Sequence, residues 1–180
     1  MLFYSKVEKF VISVLEKAEN QNDIRHAQRT VYWIRQLKPE ADEALLIAGV
    51  AHDIERAFFG DWKKGSSDPT ALHKHQELSA AEIEKFLRAE GAAEDFITRV
   101  KNLVEHHETG GDADQNVLCD ADSLSFFEDN AVRRVRKWKA EGKSKEIMKE
   151  NMDYYFSRFI SPNAKAIARQ WYEAALAEIA

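Results

Sequence analysis

A chain of 180 residues, 44% hydrophobic and 32% charged, suits one globular domain that can bury its own core without staples. The formal net charge is −5 with both signs interleaved, which argues against a nucleic-acid polymer as partner, since that needs a concentrated positive face. The single cysteine, Cys119, excludes an internal disulfide and reads as a small buried hydrophobe; no apolar run approaches the ~20 residues of a membrane span, and residues 1–6 show no signal-peptide pattern, so the expected setting is cytoplasmic.

Phe3, Val7, Phe10, Val11, Val14 and Leu15 recur at helical spacing and predict a first helix with one apolar face. Asn22 or Asp23 can cap a second helix running to residue 37, with Ala27, Val31 and Ile34 facing inward. Lys38-Pro39 ends it, because proline cannot continue the hydrogen-bond ladder. A third helix is expected over residues 40–54. Its section 44–51 is apolar on every side, which marks it as the buried central helix. His52-Asp53 comes at its end, and polar groups placed there are costly unless they are paired or ligate something. Residues 58–71 hold Gly60, Gly65, Ser66, Ser67 and Pro69 and read as a loop long enough to act as a lid. Further helices are expected over 75–90, stopped by Gly91, and over 94–107, stopped by Gly110-Gly111. Others follow over 116–128, 144–157 and 163–179, with Pro162 well placed at a helix start. The basic run Arg133-Arg134-Val135-Arg136-Lys137-Trp138-Lys139 reads as a solvated helix face. With no repeat, no strand-like alternation and no domain boundary, the expected fold is an all-α helical bundle, one domain over 1–180.

Across these helices runs an ordered set of histidines and aspartates: His26, His52-Asp53, His75, His106-His107 and Asp122. Of six histidines only His73 falls outside it. Imidazole and carboxylate are the usual protein ligands of divalent first-row metals, so the pattern points to a metal site. The order H…HD…H…H…D, carried by "RHAQRTVYWI", "LLIAGVAHDIERA", "HKHQELSAAEIEKFLRAEG", "VKNLVEHHETGG" and "LCDADSLSFF", resembles the HD-domain superfamily of metal-dependent phosphohydrolases over roughly residues 23–127.

That resemblance implies a first ion on His26, His52, Asp53 and Asp122. It implies a second on His75 and His106, with Asp53 bridging the two. The ions implied are divalent transition metals (manganese, iron, cobalt, nickel or zinc, with magnesium also open), and the sequence does not choose among them. Between His73 and His75 the resemblance favours His75, which is followed four positions on by Ser79-Ala80. Between His106 and His107 it favours His106 and leaves His107 as a contact to substrate or to a third ion. Asp122 matches the late aspartate, and Asp120 is left as a capping or supporting group.

The activity the resemblance implies is hydrolysis of a small phosphate ester or anhydride, plausibly a nucleotide, by a metal-bound hydroxide. Arg56 stands three residues after Asp53, where many members carry a lysine or glutamate. An arginine there can stabilise negative charge but cannot donate a proton at neutral pH. Glu55 is a candidate for proton transfer, and Arg29, Lys74 and the stretch Phe58-Phe59-Gly60-Asp61-Trp62-Lys63-Lys64 are candidates for substrate contact. The chain has Thr109-Gly110-Gly111-Asp112 where cyclic-dinucleotide phosphodiesterases carry Gly-Tyr-Pro. It has Ile54-Glu55-Arg56-Ala57 where guanosine tetraphosphate hydrolases carry an acidic pair. Two other readings share the ligand set: a di-iron oxygenase of the same superfamily, and a non-catalytic ligand-binding domain that keeps the fold.

Overall fold

In the computed structural model, which describes residues 3–60 and 68–180, every regular element is a helix. In chain order they are α1 (Tyr4–Lys17), α2 (Gln21–Leu37), α3 (Glu43–Ala51), the single turn α4 (Arg56–Phe59), α5 (Pro69–Ala89), α6 (Glu94–Glu105), α7 (Ala113–Asp129), α8 (Ala131–Ala140), α9 (Lys145–Ser157) and α10 (Pro162–Ile179). The all-α expectation therefore holds. No helix among the described residues is long and apolar enough to cross a membrane.

Helix ends differ from the expected ones where a cap outranks the apolar pattern. Asn20 caps α2, its side chain accepting from the backbone of Asp23 at 3.3 Å, so the helix starts before Asn22. Asp42 caps α3 by accepting from the Leu45 amide at 3.0 Å. At its other end α3 stops at Ala51, because Ile54 N donates to Ala51 O at 3.1 Å and Arg56 N to Asp53 O at 3.2 Å, a tighter winding than the α-helix. Asp68 caps α5 and Pro69 occupies its first turn, so that helix begins well before residue 75 and the expected loop over 58–71 is partly helical at both described flanks. Residues 61–67, which include Asp61, Trp62, Lys63 and Lys64, lie outside the described residues. A capping box between Asp112 and Gln115 starts α7 at Ala113 rather than at 116. The basic run forms α8, which buries Ala131, Val135 and Trp138 at 4- and 3-residue spacing and is thus more than a solvated face.

Two apolar clusters fill the interior. The first joins α1, α2, α3, α5 and α6 to the start of α7 and, apart from Tyr4, is built of Ile, Leu, Val and Ala. The second joins the end of α7 to α8, α9 and α10 and is rich in aromatics, among them Phe127, Trp138, Tyr155, Phe156 and Phe159. Helix α7 belongs to both: Leu118 and Ala121 enter the first cluster, Leu124 and Phe127 the second. As expected, α3 is buried at every position from Ala44 to Ala51. Its Gly49 lets α2 come close, since a Cβ added there would stand 2.3 Å from Ile34 Cδ1.

Candidate metal centre

Five elements converge on the buried polar cluster: α2 brings His26, the turn after α3 brings His52, Asp53 and Glu55, α5 brings His75, the turn after α6 brings His107 and Glu108, and α7 brings Asp122. Each of the four imidazoles is anchored through Nδ1. His52 Nδ1 donates to the Gly49 carbonyl at 2.9 Å and His107 Nδ1 to the Val104 carbonyl at 2.7 Å. His75 Nδ1 donates to Glu55 Oε1 at 2.6 Å. Ser125 Oγ gives its proton to the His26 carbonyl, so it accepts from His26 Nδ1 at 2.8 Å. With every Nδ1 carrying a hydrogen, every Nε2 is left to face the cluster, which is the tautomer a metal ligand needs.

The four Nε2 atoms fall into two pairs. His26 and His52 are 3.2 Å apart, and His75 and His107 are 3.1 Å apart. Two nitrogens each about 2.1 Å from one ion and roughly a right angle apart would have about this separation. Asp53 lies between the pairs and divides its oxygens: Oδ2 is 3.6 Å from both His26 and His52, while Oδ1 is 3.0 Å from His75 and 4.0 Å from His107. Asp122 Oδ1 closes the first pair at 2.9 Å from His26 and 3.4 Å from His52. Glu108 Oε1 stands over the second pair, 3.7 Å from His107 and 3.9 Å from His75. Two groups that share Asp53, one with His26 and His52 and one with His75 and His107, could therefore each hold a metal ion, and Asp122 and Glu108 stand beside them.

Electrostatics support the same reading. Burial disfavours a charge on His52, but Asp53 and Asp122 outweigh it and push the imidazole up to about 9. Burial likewise opposes a charge on His75, and Asp53 with Glu55 raises it to about 10. Burial and the neighbouring His75 and His52 hold His107 well below the usual histidine range. The carboxyls of Asp53 and Asp122 are held well below the carboxylate range despite burial, by Arg56 and the histidines in one case and by His26, His52 and Arg158 in the other. A cluster of carboxylates that holds protons on its imidazoles is one in which cations can replace those protons.

The expected residues are placed as follows. His26, His52, Asp53, His75 and Asp122 come together. His106 does not: it is half exposed and its Nδ1 donates to Asn102 O at 2.8 Å, turned away from the cluster. His107 takes its place. The buried stripe of α6 (Ile97, Val100, Leu103 and Val104) does not choose between them, since Leu103 and Val104 each stand three residues before one of the two; α6 ends at Glu105, and His106 leaves the helical path with φ −123° and ψ 9°, so the turn after the helix presents His107. Glu55 is buried rather than solvent-facing; its Oε1 accepts from His75 Nδ1 and orients that ring, while its Oε2 accepts from Ser79 Oγ at 2.7 Å. Arg56 reaches the site, in contact with Asp53 Oδ2 and 3.6 Å from Asp23 Oδ1. Arg29 does not; it forms a two-point pair with Glu128 at 2.7 and 2.8 Å and lies 3.9 Å above the Tyr32 ring, outside the cleft. Lys74 is exposed and lines no part of it. Asp120 accepts from the Ile160 and Ser161 amides and so supports the turn into α10, not a ligand.

Sequence reasoning passed over Glu108 and Arg158. The guanidinium of Arg158, from the end of α9, binds Asp122 Oδ2 at 2.9 Å and Glu108 Oε2 at 2.7 Å, and so holds one carboxylate beside each histidine pair. Its buried Nε has no hydrogen-bond partner among the described residues. Glu108 follows the histidine pair directly, a signal that could have been weighed; Arg158 lies 36 residues from Asp122 and no local pattern reveals it. The cluster forms the floor of a cleft open to solvent, whose far wall carries Phe126, Asn130, Arg133, Arg134 and Tyr154.

No curated protein and no solved structure matches the chain. Residues 11–170 match the family described as a domain of unknown function (DUF4202), and the chain belongs to that family.

Proposed function

We propose that the protein is a metal-dependent phosphohydrolase acting on a small phosphate ester or anhydride, plausibly a nucleotide. The observation that carries the reading is the division of Asp53 between two histidine pairs, one oxygen to each. Divalent ions held there would supply Lewis acidity and lower the pKa of water. The order of the ligands along the chain, which resembles that of HD-domain phosphohydrolases, supports the same class of reaction.

The chain's own residues have separable tasks. His26, His52, Asp53 and Asp122 would hold one ion, and His75, His107, Asp53 and Glu108 the other. Glu55 and Ser125 fix the rings of His75 and His26. Arg56 stays charged at every physiological pH and sits beside the bridging carboxylate, so it would bind negative charge on the substrate rather than move a proton. Arg158 keeps two carboxylates aimed at the ions. The open side of the cleft admits a substrate of modest size.

The test is elemental analysis of protein purified without chelator, followed by a phosphate-release screen with the metals found. About two ions per chain and release of phosphate, both lost in Asp53→Ala, are expected. Two irons with oxygen-dependent turnover and no phosphate release would replace hydrolysis by an oxidative reaction. No bound metal, even after incubation with manganese, would leave only a binding module.

A further inference from the structure

We propose that the cleft takes an elongated organic phosphate carrying a second, distal phosphate, and that Arg133 and Arg134 at the start of α8 hold that second group. The inference rests on the phosphohydrolase reading and extends it to the class of substrate.

The basic run of α8 divides by partner. Arg136 pairs with Glu178 at 3.1 Å, Lys139 Nζ donates to the Glu178 carbonyl at 2.6 Å, and Lys137 lies 3.8 Å from Glu141. Those three side chains tie α8 to α10 or to its own last turn. Arg133 and Arg134 instead line the cleft that ends at the metal cluster, and among the described residues neither forms an ion pair with a carboxylate. Arg133 donates to the Asn130 side-chain oxygen, a neutral partner. The other two guanidinium groups of the cleft, on Arg56 and Arg158, are already engaged by carboxylates. The positive charge that no carboxylate engages is therefore at the far wall. Both arginines also sit near the amino end of α8, whose first turn holds no acidic residue to compete for them.

Helix α7 supplies a ruler. Asp122, Phe126 and Asn130 line one side of the cleft at four-residue steps, and eight residues of α-helix rise about 12 Å. The arginines come in the turn after Asn130. A ligand with one phosphate at Asp122 must therefore reach on the order of 10 Å to place another at the arginines. Between the two ends the wall is Phe126 and Tyr154, suited to an apolar or planar body. Guanidinium forks recognise phosphate by paired hydrogen bonds, which favours phosphate over a smaller anion at the distal end.

The experiment uses metal-loaded protein and straight-chain alkanediol bisphosphates of increasing length, each beside the monophosphate of the same chain. Calorimetry gives affinity and phosphate release gives kcat/KM. The bisphosphate is expected to bind about a hundredfold tighter than the monophosphate, with the preference rising from ethane- to hexanediol. In Arg133→Gln/Arg134→Gln the ratio should fall close to one with metal content unchanged, and Arg133→Lys/Arg134→Lys should keep part of it. A ratio near one in the unaltered protein, or a ratio untouched by the double glutamine variant, overturns the distal site while hydrolysis still stands. A bisphosphate preference that depends on the arginines, without release of phosphate from any ester, supports the distal site and overturns the hydrolase reading instead.

Discussion

The two apolar clusters are built from different residues and do different work. The amino-terminal cluster is aliphatic, with Tyr4 the single aromatic among its fully buried members, and it carries the helices that present all four facing histidines. The carboxy-terminal cluster is aromatic, with Phe156 and Tyr172 stacked at 4.1 Å and Phe127 edge-on to Phe156 at 5.7 Å. It carries the arginines of the cleft's far wall. Small aliphatic side chains let helix backbones approach closely, which imidazole nitrogens 3.1 and 3.2 Å apart require. Large aromatics hold helices further apart and give a wall rather than a pinch point. One half thus concentrates imidazole and carboxylate atoms, and the other supplies the aromatic and basic wall of the cleft.

The sharpest way to break this division is at the shared carboxylate. Asp53→Ala is expected to lose both ions and Glu108→Gln only the one beside His75 and His107, as read by metal content; an ion retained in Asp53→Ala would undo the bridging assignment. Next in size are core truncations. Phe127→Ala should cost about 3–5 kcal/mol and Leu46→Ala about 2–5 kcal/mol. Because α7 enters both clusters, each variant should shift one common transition in denaturant; two separate transitions would show the halves to be independent.

Gly49→Val tests the pinch point itself. The added side chain would meet Ile34, and a cost of about 1–3 kcal/mol is expected, together with a weaker ion at His26 and His52 and an unchanged one at His75 and His107. Equal weakening at both positions would mean the spacing of α2 and α3 is not what sets the first pair. The smallest effect concerns Cys119. Burial and the nearby acidic groups, against Arg158, push its thiol up to about 12. The thiolate is scarce at all lower pH values, so the folded protein should react with a thiol reagent at pH 8 only at the rate of its unfolding. Prompt labelling would show the Cys119 side of α7 to be open.

Much of this was legible along the chain because it depends on near neighbours. The apolar stripes of α1 and α2, the all-round apolar character of α3 and the stop signals at Pro39, Gly91 and Gly110 are local, and the helices formed near their expected places. The His-Asp doublet stood out for the same reason. The choice of His107 over His106 was not legible, since Leu103 and Val104 are both buried and each stands three residues before one of the two, and the turn after α6 decides. The caps Asn20, Asp42 and Asp68 were local too, but each competes with other polar residues nearby, and only the folded backbone chooses among them.

What the sequence alone determined is the helical fold and the kinds of atom brought to the site: imidazole and carboxylate on helices whose apolar faces fix which way they turn. The tertiary structure decided how those atoms were shared. It placed Asp53 between two histidine pairs, put Arg158 against Asp122 and Glu108, and gave Arg29 to Glu128 instead of to the cleft. It also divided one basic run between α10 and the cleft wall. A charged side chain takes whichever opposite charge the packing of distant helices brings within a few ångströms, and that choice is not encoded within any one turn of the chain.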